Sequence, residues 1–208
     1  MSLPSKVVSI SNHDYRIKKM PAASGHLFLM RIEARLSNAV GLLASNPLLA
    51  LTKLLDTDGD DDALNELLSD FLEHVTFNGF PINHEEQFAG DYHGLIALLG
   101  EVIGYNFGFI RKRKGYTGTK SMGQETGKTG MSTPAQKKID NIFKEFSQSP
   151  MVLAVLRSDM KVASYKDLCS TMTVEDLFNM YELVTAANDI TAIQMEEARA
   201  QQAKANSQ

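Results

Sequence analysis

Residues 95–110, LIALLGEVIGYNFGFI, are the most apolar run of the chain, and residues 111–134, RKRKGYTGTKSMGQETGKTGMSTP, follow it at once. The change between the two stretches decides how the fold is read. In the first, Gly100, Gly104 and Gly108 recur at every fourth position. That spacing puts them on one face of a helix, where another backbone can approach closely. The second holds five glycines, and its sizeable apolar residues are Tyr116, Met122 and Met131. So little apolar surface does not offset the entropy of ordering the segment. The sequence therefore predicts a helical N-terminal domain over 1–110, a flexible linker over 111–134, a small helical C-terminal unit over 135–200 and a disordered tail over 201–208. The fold class is mainly α, with a small β-hairpin patch.

Working outward towards the N-terminus, Val8 and Ile10 alternate with polar residues, as do Tyr15 and Ile17, around the turn-forming cluster Ser11-Asn12-His13-Asp14. This predicts a hairpin with one buried face. Pro21 breaks the pattern. Leu29, Ile32, Leu36, Val40 and Leu43 then form a helical stripe. Asn46-Pro47 reads as a cap and first helical residue, opening a short helix to Leu55. The acidic loop DTDGDDD ends that helix. Leu64, Leu67, Leu68, Phe71, Leu72 and Val75 mark the clearest amphipathic helix of the chain. Asn78-Gly79 between apolar residues signals a second hairpin. Its strands are short and are expected to join the first hairpin in one small sheet.

Beyond the linker, Ile139, Ile142, Phe143 and Phe146 suggest a short amphipathic helix, and Ser149-Pro150 opens another. Ser164 begins a third. Thr173-Val174-Glu175-Asp176 has the pattern of a capping box with Asp in the place of Glu. Val174, Leu177, Phe178, Tyr181 and Val184 continue as its apolar stripe, and the helix can run on towards Ala203.

Composition narrows the function classes. The chain has 208 residues, 43% of them hydrophobic, and a net charge of −4. That charge gives no general attraction to nucleic acid or to anionic lipid. A single cysteine, Cys169, fits a reducing compartment and is expected to be buried by packing. The N-terminus MSLPSKVVSISNHDY lacks the apolar centre of a signal peptide. The run ending at Ile110 has two readings. A membrane span is favoured by the glycine ridge and the Arg111–Lys114 flank. Against it, the run is about 16 residues long where roughly 20 are needed, and it holds Glu101 and Asn106. The buried central helix of a soluble domain is the preferred reading.

No catalytic constellation emerges, so the chain is read as non-enzymatic and without cofactors. Gly123-Gln124-Glu125-Thr126-Gly127-Lys128-Thr129 approaches a phosphate loop, but Met122 stands where the first glycine is required and no strand precedes it. Asp56, Asp58, Asp60 and Asp62 approach a calcium loop, but Asp61 and Leu67 occupy the obligatory Gly and Glu positions. His13, His26, His74, His84 and His93 show no metal-ligand spacing and are read as structural or exposed. Arg111–Lys114 is read as a solvated linker edge.

Three stretches taken in order carry a resemblance. They are HDYRIKKMPA at 13–22, VTFNGFPINHEEQFAGDYHGLIALLGEVIGYNFGFI at 75–110, and SPMVLAVLRSDMKVASYKDLCSTMTVEDLFNMYELVTAANDITAIQMEEARAQ at 149–201. Together they resemble the tail assembly chaperones of long-tailed bacteriophages and prophages, the third stretch resembling the C-terminal extension of the longer form. The resemblance implies a protein that binds the tape-measure protein, keeps it soluble and recruits tail-tube subunits in the host cytoplasm, and that is absent from the mature virion. In several such phages a ribosomal frameshift adds the extension. Nucleic acid and membrane are not expected partners, while self-association stays open. Leu177, Phe178 and Tyr181 lie close on one helix and are the candidate partner-binding residues. The alternatives are a structural tail component retained in the virion and a small membrane-associated protein.

Overall fold

The computed structural model describes residues 2–36, 47–55, 61–113 and 148–205. It opens with the expected hairpin, strand β1 (Ser5–Ile10) against strand β2 (His13–Lys18). Ser11 and Asn12 both take positive φ, at 49° and 63°. This is the turn geometry whose twist suits a two-residue hairpin. Tyr15 and Ile17 point from β2 into the core. Strand β3 (Val75–Phe77) pairs antiparallel with β2, placing Phe77 opposite Tyr15, and turns at Asn78-Gly79 into β4 (Phe80–Pro81). The two hairpins thus form one four-stranded sheet in the order β1-β2-β3-β4.

Eight α-helices complete the described residues: α1 (Ala22–Leu36), α2 (Pro47–Leu55), α3 (Asp61–Leu72), α4 (His84–Gln87), α5 (Tyr92–Phe107), α6 (Pro150–Arg157), α7 (Tyr165–Ser170) and α8 (Val174–Ala205). A 3-10 turn, Gly108–Lys112, extends α5. The fold is mainly α with a small sheet. α1 starts directly after Pro21, ahead of the apolar stripe. The far end of that stripe, Val40 and Leu43, lies outside the described residues, as does the expected helix around Ile139–Phe146.

α5 is the central helix. Asp91 caps it, its carboxylate accepting from the Gly94 amide at 2.9 Å. Leu98, Leu99, Val102, Ile103 and Phe107 are buried along it. Asn106, which argued against a lipid environment, is buried too. It accepts from the Met20 amide at 2.8 Å and donates to the Val102 carbonyl at 3.1 Å, fixing the end of the sheet to the helix. Residues 92–110 are long and apolar enough to cross a membrane, and half of that stretch is buried inside the fold.

The glycine ridge differs from expectation. A Cβ at Gly104 or Gly108 would meet nothing within 4 Å, and one at Gly100 would only reach Leu51 Cδ1 at 4.0 Å, so no described backbone uses the ridge for close approach. Between helices, a tight contact falls at Gly25 instead, where a Cβ would stand 2.5 Å from Val174 Cγ2 and 2.8 Å from Met20 Cβ.

One hydrophobic cluster joins the two ends of the chain. Met151, Val152, Val155, Leu168, Val174, Leu177 and Phe178 share it with Phe28, Leu29, Ile32, Phe71 and Val102. α6–α8 therefore complete the core of the preceding helices. Of the expected linker, residues 114–134 lie outside the described residues, and the described part begins within the 3-10 turn. At the other end, helix continues through Ala205 into the stretch expected as disordered tail. Gln, Ala and Lys are good helix formers, and once α8 is nucleated each added residue costs little.

Candidate interaction surface

The base of α8 is built by its cap. The Thr173 amide donates to Asp176 Oδ2 at 2.8 Å, and the Asp176 amide donates back to Thr173 Oγ1 at 3.2 Å, the reciprocal box read from the sequence. The Ala22 amide donates to the Met172 carbonyl at 2.8 Å and Pro21 bridges Thr173, which joins the starts of α1 and α8. From there Val174, Leu177, Phe178, Met180 and Val184 turn inward.

Two of the three expected contact residues are thereby core residues. Leu177 is 0% exposed and Phe178 6%, with the Phe178 ring 5.5 Å from His26 and 5.3 Å from Phe109. Tyr181 is half-buried at the edge of the cluster. Spacing brought the three together correctly but could not tell which neighbour they meet.

For Arg113, the one residue of the Arg111–Lys114 cluster whose side chain is described, the reading as a solvated edge is corrected. Its guanidinium carbon lies 5.6 Å from the Phe109 ring and 5.4 Å from the Phe178 ring. One of its nitrogens donates to Glu182 at 2.9 Å, and another donates to Asn179. The planar, weakly hydrated guanidinium suits a site that is partly aromatic and partly carboxylate. It clamps the docked half of α8 to the end of α5.

Ser149 caps α6, accepting from the Val152 amide at 3.2 Å, and its Oγ lies 2.8 Å from His26 Nδ1. Burial drives the His26 pKa down to about 4, so the ring is neutral and structural at neutral pH. Cys169 is exposed, against the expectation of burial. α7 has six residues and buries only Leu168, which leaves its neighbour facing outward. Among the described residues no group of three His, Cys, Asp or Glu could hold a metal ion. The phosphate-loop-like segment and most of the acidic loop lie outside the described residues.

Among the described residues, two exposed apolar features bear on partner binding. At the β3–β4 turn Phe80 is 72% exposed, beside a shallow depression of about 410 Å³ lined in part by Phe77, Ile82 and Gln87. The other is the second half of α8. Beyond Ala187 every α8 residue assigned an exposure is exposed, and this stretch is roughly 27 Å long at 1.5 Å per residue. Leu183 is 56% exposed, and Ile190 and Ile193 are each 57% exposed. The signal for this face was in the sequence: an apolar spacing of three and four residues continues past Val184, offset from the stripe that docks.

The family model for phage tail assembly chaperone proteins matches residues 11–116, a little over half of the chain. The chain belongs to this family. As a phage tail assembly chaperone it acts in the building of phage tails. The match spans the sheet from the first turn onward and α1–α5, and leaves α6–α8 beyond it. No curated protein and no solved structure gave a match.

Proposed function

We propose that this chaperone binds the tape-measure protein through residues 1–110 and recruits tail-tube subunits through its C-terminal helices. It works without catalysis in the host cytoplasm and is absent from the finished virion. The observation that carries the reading is the exposed second half of α8, mounted on a core that bears the family match. Phe80 and its depression lie within the matched region and supply an apolar surface for the tape-measure protein. Leu177 and Phe178 support recruitment by fixing the base of α8, with Tyr181 at the margin.

The test is co-expression with the tape-measure protein and the tube subunit. A chain ending at Ala187 keeps every buried residue of α8. It should hold the tape-measure protein in solution yet fail to retain the tube subunit. Phe80→Asp should do the reverse. If the chain ending at Ala187 retains the tube subunit as well as the full chain does, the division of labour is wrong. Mass spectrometry of purified particles checks the absence from the virion.

A further inference from the structure

The exposed half of α8 carries more than apolar surface. Leu183, Ala186, Ile190 and Ile193 follow the alternating three- and four-residue spacing of a helix-pairing seam. Glu182, Asp189 and Glu196 run beside it at seven-residue intervals, and Glu197 extends the seam itself. The opposite flank, Ala187, Gln194 and Gln201, is uncharged. Among the described residues nothing covers the seam beyond Ala187.

A second copy fits this face poorly in either orientation. An antiparallel pair sets the acidic row against itself. A parallel pair sets Glu197 against Glu197 within the seam. Like charges so placed are destabilising. The molecule also shows what the row accepts. Its first member, Glu182, is held at 2.9 Å by the Arg113 guanidinium, while Asp189 and Glu196 form no ion pair with described residues.

We propose that the face from Leu183 to Ile193 docks an amphipathic helix of another protein whose apolar stripe is flanked by lysine or arginine, those cations meeting Asp189 and Glu196. This rests on the recruiting role assigned above to the C-terminal helices and adds the chemistry of what they hold.

The test uses the full chain and two synthetic three-heptad helices. Both carry Leu and Ile along one stripe, one flanked by Lys and the other by Glu. Fluorescence anisotropy should show the Lys-flanked helix binding and the Glu-flanked helix not binding. Ile190→Asn should weaken binding at least about tenfold, since a seam residue is lost. Asp189→Lys with Glu196→Lys should reverse the preference and bind the Glu-flanked helix, a gain that unfolding cannot produce. Three results would each overturn the proposal. These are failure of the full chain to bind the Lys-flanked helix, binding indifferent to Ile190→Asn, and dimerisation in sedimentation velocity that Ile190→Asn abolishes. If the tube subunit is still lost on truncation at Ala187 while the peptides do not bind, the recruiting role stands and the docking chemistry falls. If the peptides behave as stated while truncation leaves recruitment intact, the role falls and the surface stands.

Discussion

His26 shows how much a single buried group can weigh. Its folded pKa of about 4 lies below the 6.5 of an unfolded histidine. The unfolded chain therefore binds the extra proton between those values. Stability is complete above pH 6.5 and is lost as pH falls towards 4, by up to roughly 3 kcal/mol. His74, also lowered by burial, adds to the same loss. Urea midpoints should fall steeply between pH 7 and 4.5, and His26→Asn should flatten part of that slope; an unchanged slope would mean that His26 titrates alike in the folded and unfolded states. Gly25 is the second such residue. Gly25→Ala gains about 1 kcal/mol of helix propensity but forces a methyl against Val174 and the Met20 Cβ. Overpacking of this kind costs roughly 1–3 kcal/mol, so thermal unfolding should show net destabilisation. A variant more stable than the parent would mean that α1 and α8 can separate at no cost.

At the level of elements, what could be read in advance was what is local. Asn12, Asn78 and Gly79 sit in turns because Asn and Gly tolerate positive φ, and that tolerance is a property of the residues themselves. Thr173 and Asp176 form a cap because a three-residue spacing suffices. Ser164 and Asp167 form a second box of the same kind, and the same spacing could have identified it. The destination of each apolar face was not legible. Leu177 and Phe178 can serve as core or as contact, because periodicity gives a direction around the helix and no neighbour. Arg113 read as linker because its partners, Asn179 and Glu182, lie more than sixty residues away. The cap of α8 carries its own prediction. Thr173→Ala should cost about 1 kcal/mol in chemical denaturation, the usual worth of an N-cap. Thr173→Ser should recover most of it, and equal losses in both variants would point to packing of the threonine methyl instead.

For the whole molecule, the shared core makes the segment between Arg113 and Gln148 a connection within one folded body. An engineered protease site between Gly123 and Gln124 tests this. After cleavage the two fragments should co-elute in gel filtration and separate only in denaturant. A chain ending at Pro134 should bind a hydrophobic dye and aggregate, because it loses Val152, Leu177 and Phe178 from the shared cluster and uncovers the faces of α1 and α5 on which α8 packs. Fragments that part in native buffer, or a soluble, folded 1–134, would restore two independent units.

The mounting of α8 has a mechanical side. Its first three turns are gripped by the Met172–Ala22 hydrogen bond, the Gly25 contact and the Arg113 clamp, while the remainder stands clear. A rod held at one end is a lever. Over a free length of roughly 27 Å, a tilt of about 10° at the grip carries the tip some 5 Å, nearly one helical turn. The outer end can sweep an arc wide enough to meet a partner whose position varies, and the core beneath it has only to yield by a fraction of that distance.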